Sequence, residues 1–244
     1  MYTCAALAAL LNYPTAELQQ AVRDGEIARA LRREGLVPRR QREALKPLLD
    51  ELATWDLLDL QSRYVALFDR SRARSLHLFE HVHGESRDRG EAMVQLQQMY
   101  AQAGLELAAK ELPDYLPLYL EYCSVLAPEE ACQRLSQPIH VIAGIRSRLK
   151  ERGSSYAPVF EALEALSAQP ADAASLEQIL KEGDDEPDDT ERLDREWAED
   201  PVSFGPDAPG TGGNSCGRIK QIAERVAAAT TGKQAHHADR ETPQ

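Results

Sequence analysis

Two histidines four residues apart, with a glutamate between them, are the residues best placed to do chemistry: His77-Leu78-Phe79-Glu80-His81. On a helix, positions i and i+4 share one face. Both imidazoles would then ligate one zinc ion while Glu80 acts as general base, the H-x-x-E-H arrangement of inverted zinc peptidases. Such a centre needs a third protein ligand, and no convincing one follows at helical spacing. The competing reading packs these histidines against a helix face, hydrogen-bonded to carboxylates or to backbone. A metal-dependent hydrolase is therefore the alternative function, and no catalytic residue, metal ligand or cofactor site is assigned.

The pattern lies inside a denser stretch, Tyr64 to Gly90, with five arginines, four acids, three histidines and two phenylalanines in 27 residues. It is too charged for simple core and too apolar for a linker. Arg70, Arg72, Arg74, Arg87 and Arg89 alternate with Asp69, Glu80, Glu85 and Asp88. Two readings are compatible: internal ion pairs that fix a loop between helices, and a polar rim around an apolar groove, where arginine and aromatic anchors dominate recognition. Gly210-Thr211-Gly212-Gly213-Asn214-Ser215 falls short of G-x-G-x-x-G at its last position. With no strand before it and no P-loop lysine after it, it reads as linker.

The elements that must position these residues are helices. Ala, Leu, Glu, Gln and Arg abound, and runs of β-branched residues are few, so the fold class is all-α. Thr15 caps a helix holding Leu18 and Val22, with a weak point at Gly25 before Ile27 and Leu31. Pro38 opens the next, carrying Leu45, Leu48, Leu49 and Leu52. Asp56 caps a third with Leu60, Tyr64, Leu67 and Phe68. Ser86 caps a fourth with Met93, Leu96 and Tyr100, stopped by Gly104. Asp114 is expected to cap a helix whose first turn takes Pro117, where the missing N–H costs no helical bond. Pro138 opens a helix closed by Gly153, and Tyr156 to Leu166 forms the last core helix. Leu67, Phe68, Leu96 and Leu120 are expected to be buried.

Periodicity holds through residue 168, which sets the domain at 1–168. Residues 169–244 read as a flexible acidic and Gly/Pro-rich tail with short helices, one around Leu176, Ile179 and Leu180. Of the net charge of −12, the segment Lys181 to Asp200 carries −8 through eleven acids. Such a chain is a poor partner for nucleic acid, which rewards basic faces. The four cysteines show no metal or disulfide spacing, as expected for reduced cytosolic thiols. The apolar run Ala5 to Leu11 is too short to span a bilayer and has no basic residue before it. A cytoplasmic location without membrane insertion is expected.

Three stretches carry a resemblance to a known family: Tyr64-Val65-x-Leu67-Phe68-Asp69-Arg70, Ser75 through Gly90, and Glu111-Leu112-Pro113-Asp114-x-Leu116-Pro117-Leu118-Tyr119-Leu120-Glu121. Over Leu10 to Leu166 the chain resembles the NarJ-type assembly chaperones of respiratory nitrate reductase, within the TorD-like maturation chaperones for molybdoenzymes. Tyr115 departs from the Pro-Asp-His version that many relatives carry, which a structural or peptide-contacting role tolerates. The resemblance implies a single all-helical bundle that is not an enzyme. It implies a cytoplasmic chaperone that binds the apo catalytic (alpha) subunit of nitrate reductase, chiefly through that subunit's N-terminal segment. It would assist molybdenum cofactor insertion and delay docking to the membrane anchor, with cofactor-delivery proteins as further partners. The expected partner-binding residues mix aromatic, Arg and His groups with prolines. They are Tyr64, Phe68, Asp69 and Arg70; Phe79, His81, His83, Glu85, Arg87, Asp88 and Arg89; and Pro113, Asp114, Tyr115, Pro117 and Tyr119.

Overall fold

A computed structural model describes residues 1–82, 87–107 and 111–181. The described chain is helical, as the composition predicts; its extended pairing is one isolated antiparallel bridge between His77 and Tyr115. The acidic run and the Gly/Pro-rich tail lie outside the described residues.

The first helix, α1 (Tyr2–Leu11), is the centre of the bundle. Cys4, Leu7, Leu10 and Leu11 are fully buried, because α1 packs against α8 (Leu116–Val125), α3 (Glu26–Arg33) and α11 (Ala157–Leu166). A helix apolar all round has no polar face to create a periodic signal. That is why this run reads in sequence only as a short apolar segment.

Several start and stop signals act as predicted. Thr15 Oγ1 accepts from the Leu18 amide at the start of α2 (Ala16–Arg23), and Asp56 Oδ1 from Leu58 at the start of α6 (Leu57–Phe68). Gly25 takes φ +71° between α2 and α3, a left-handed conformation that costs glycine little. The helix expected from Pro38 is instead two, α4 (Arg39–Ala44) and α5 (Lys46–Thr54). Pro47 lies in the first turn of α5, where it has no N–H to continue the α4 ladder and its ring crowds the preceding turn.

After α6 the chain makes two 3-10 turns, Arg72–Arg74 and Leu78–Glu80, and then α7 (Arg87–Gln102). Of the expected core positions, Phe68 and Leu120 are buried, whereas Leu67 and Leu96 are half-buried against the core edge. Following α8 come α9 (Pro128–Leu135), α10 (Ile139–Glu151), α11, and a peripheral α12 (Ala173–Lys181) laid on α10. That packing depends on Gly144. A Cβ there would stand 2.7 Å from Ile179 Cγ2. Among the described residues no helix is long and apolar enough to cross a membrane.

Candidate functional site

The segment Ser75–Val82 crosses beside the start of α8, stitched there by backbone. Leu78 N–H donates to Asp114 C=O at 3.0 Å and Leu116 N–H to Leu76 C=O at 2.8 Å. Between these bonds sits the fully buried Asp114 carboxylate. Its Oδ2 accepts from the Phe79 amide at 3.0 Å, and its Oδ1 lies 3.2 Å from His77 Nδ1. Asp114 is therefore not the cap expected from sequence: Tyr115 holds the N-cap position of α8 with no side-chain cap bond. The carboxylate turns the other way because the neighbouring strand-like segment offers it an amide and an imidazole at once. That pairing raises the His77 pKa, the Asp114 hydrogen bond outweighing the opposing effect of burial.

The zinc-peptidase geometry does not form. His77 is extended and residues 78–80 make a single 3-10 turn, so the two histidines do not share a helical face. His81 instead donates from Nε2 to the Ser75 carbonyl at 2.8 Å. Among the described residues, no three His, Cys, Asp or Glu side chains group as metal ligands. The hydrogen-bonded reading of these histidines is the one observed, with a carboxylate for His77 and a backbone carbonyl for His81.

One side of this segment is a polar pocket of about 440 Å³, bounded by Tyr64, Phe68, Asp69, His77, Arg89 and Tyr115. Tyr64 Oη donates to the Leu11 carbonyl at 2.7 Å. Its one proton being committed, the Tyr115 hydroxyl must donate to Tyr64 Oη, at 2.8 Å. Burial pushes the Tyr115 phenol up to about 12, so it stays protonated at neutral pH. Phe68 packs on Tyr64 with ring centroids 4.9 Å apart. At the rim, Arg89 pairs with Glu80 at 3.5 Å, and the Arg72 guanidinium donates to the Glu80 carbonyl at 2.8 Å. The ion-pair reading of these arginines therefore holds for Arg89, with Glu80 as its partner.

The other side is a larger groove of about 720 Å³, lined by a greater number of apolar side chains. Leu78, Phe79, Leu96, Met99, Tyr119 and Ile179 furnish its apolar surface, while Gln95, Gln137, Gln178 and Arg134 supply polar groups. Tyr119 is fixed by donating to the Arg134 carbonyl at 2.8 Å. The two cavities share one wall. His77 and Glu80 face the polar pocket, and Phe79 and His81 line the groove.

The expected partner-binding residues distribute by exposure. Asp69 and Arg70 are exposed, and Phe79, Arg89 and Tyr115 are half-buried. Tyr64, Phe68, His81, Pro113, Asp114, Pro117 and Tyr119 are buried, so they shape the cavities more than they offer open surface. His83, Glu85 and the side chains of Arg87 and Asp88 lie outside the described residues. His77, Leu96 and Met99 join the site without having been singled out as contacts, and Arg72, one of the arginines of the expected rim, borders the polar pocket. For Leu96 the signal was present, as one side of an amphipathic helix. Arg134 and His140 also border the groove, but they come from α9 and α10, distant in sequence, and nothing local marks them.

The sequence profile described as nitrate reductase delta subunit matches residues 6–162. The nitrate reductase molybdenum cofactor assembly chaperone NarJ of Escherichia coli strain K12 is 44% identical over 196 residues, 80% of this chain and 81% of that protein. The probable chaperone NarW of the same strain is 43% identical over 168 residues, 68% of this chain and 71% of its own length. The probable NarJ of Bacillus subtilis strain 168 is 32% identical over 161 residues, 66% of this chain and 85% of its own length.

Proposed function

Because the chain belongs to the nitrate reductase delta subunit family, we propose that it is a system-specific assembly chaperone with no catalytic role of its own. It binds the apo catalytic subunit of nitrate reductase, chiefly by that subunit's N-terminal segment. It keeps the subunit open for molybdenum cofactor insertion and delays docking to the membrane anchor until the metal centres are in place. This work is done in the cytoplasm.

The observation that carries the reading is the shared wall between a polar pocket and an apolar groove. An amphipathic segment needs both environments: apolar side chains settle against Phe79, Leu96 and Met99, and polar ones meet Asp69, Arg70 and the His77 edge. Binding of this kind concentrates its energy in a few anchors that exclude water. Aromatic hydroxyls already satisfied inside the protein, as at Tyr64, Tyr115 and Tyr119, give such a surface shape without leaving unpaired donors.

The test is a pull-down with the tagged chain from cells making nitrate reductase, comparing the catalytic subunit with and without its cofactor. The expected result is capture of the apo subunit and loss of capture when its N-terminal segment is deleted. Equal capture of cofactor-loaded and apo subunits would remove the maturation role.

A further inference from the structure

Arg148 belongs to neither cavity, yet it touches a wall of each. It sits on α10, nearly fully buried at 3% exposure. Nη1 donates to the Ala73 carbonyl and Nη2 to the Ile179 carbonyl, both at 2.7 Å. Ala73 is the middle of the Arg72–Arg74 turn, whose neighbours Ser71, Arg72 and Ser75 bound the polar pocket. Ile179, on α12, bounds the apolar groove.

The chemistry of the group makes this a linkage. A guanidinium is planar, with its donors fixed in a fork, so the two bonds cannot be reoriented independently. If the Ile179 carbonyl moves, Nη2 either follows it and rotates Nη1 off Ala73, or gives up that acceptor.

The α12 wall is also the less buried of the two. None of its residues is buried. Ile179 seats over Gly144, the Arg148 fork holds the Ile179 carbonyl, and the Asp172 amide, just before α12, donates to His140 Nδ1 at 3.1 Å. Elements held by few buried contacts open at lower free energy than the core. An unseating of α12 would therefore be felt at the walls of both cavities.

We propose that Arg148 is a positioning residue for the client site: it couples the seating of α12 at the groove to the order of the 71–75 turn under the polar pocket. Apolar anchoring in the groove and polar contacts in the pocket then reinforce each other. The role in client binding rests on the chaperone reading above; the coupling does not.

A double-mutant cycle on the full chain tests it. Gly144→Ala places a methyl against Ile179 and unseats α12 without touching Arg148. Arg148→Lys keeps the charge but loses the fork. The readout is hydrogen exchange at the Arg74 and Ser75 amides, which bond the Ser71 and Arg72 carbonyls. Gly144→Ala is expected to speed that exchange roughly fivefold or more. In the Arg148→Lys background it should add less than about twofold. Unchanged exchange in Gly144→Ala overturns the coupling, and so do two effects that simply multiply. If Arg148→Lys does not fold, the Gly144→Ala result alone decides. In parallel, Arg148→Lys should weaken binding of a synthetic N-terminal peptide of the nitrate reductase catalytic subunit by roughly fivefold or more. A peptide that fails to bind wild type overturns the chaperone reading while the exchange result stands.

Discussion

The imidazole of His77 and the buried carboxylate of Asp114 meet at 3.2 Å across the seam between the 75–82 segment and α8. This contact fixes the wall between the two cavities, because the same carboxylate also takes the Phe79 amide. It gives the site a definite pH response. The His77 pKa is raised above its ordinary value of 6.5, first by the Asp114 hydrogen bond. The protonated pair therefore contributes stability in full below about pH 6.5, and that stability is lost as pH rises through the raised folded value. His77→Gln should flatten this part of the profile. Melting temperatures of wild type and His77→Gln are expected to differ most in mild acid and to converge in mild alkali; parallel curves would contradict the assignment.

Asp114→Ala removes the acceptor of the part-buried Phe79 amide and the partner of His77. Leaving such a donor unsatisfied costs about 1–3 kcal/mol. Urea unfolding should show a loss of that size or more, with helical content kept.

Leu120 is fully buried in α8, whereas Leu96 is half-buried at the groove. Leu120→Ala should lose about 2–5 kcal/mol of stability. Leu96→Ala should lose less stability and act mainly on client affinity. Equal melting shifts with unchanged affinity for both would place Leu96 in the core rather than in the site.

Much of the fold was legible because its signals are local. Thr15 and Asp56 cap where short polar side chains precede apolar periodicity, and Gly25, Gly104 and Gly153 stand at positive φ where helices end. Of the stretches that carry the resemblance, Tyr64–Arg70, Glu111–Glu121 and the described part of the one that begins at Ser75 all contribute residues to the two cavities. What was not legible depends on tertiary partners. Asp114 reads as a cap until the 75–82 segment offers it better partners. His77 and His81 read as zinc ligands only if the segment is helical, and the bridge to Tyr115 holds His77 extended. Arg148 carries no motif at all, since the Ala73 and Ile179 carbonyls it binds lie on separate elements, one before α7 and one in α12.

Arg70 and Arg89 separate the two readings of the arginine-rich stretch. Arg70 is exposed, so Arg70→Glu should change stability by no more than about 0.5 kcal/mol while weakening client peptide binding. Arg89 also pairs with Glu80, so Arg89→Glu sets two carboxylates side by side and should lower both stability and affinity. Calorimetric titration alongside thermal melts checks both; loss of stability without loss of affinity in Arg89→Glu would leave that arginine a purely internal role.

The most direct test of the account is calorimetric titration of the intact chain with a synthetic peptide of the N-terminal segment of the nitrate reductase catalytic subunit. Phe79→Ala serves as the site variant and circular dichroism as the control for folding. The account predicts saturable one-to-one binding to wild type, weakened tenfold or more in Phe79→Ala, about the loss of one anchor of 1.4 kcal/mol or larger, with helical content unchanged. No binding to wild type, or wild-type affinity in a normally folded Phe79→Ala, would contradict it.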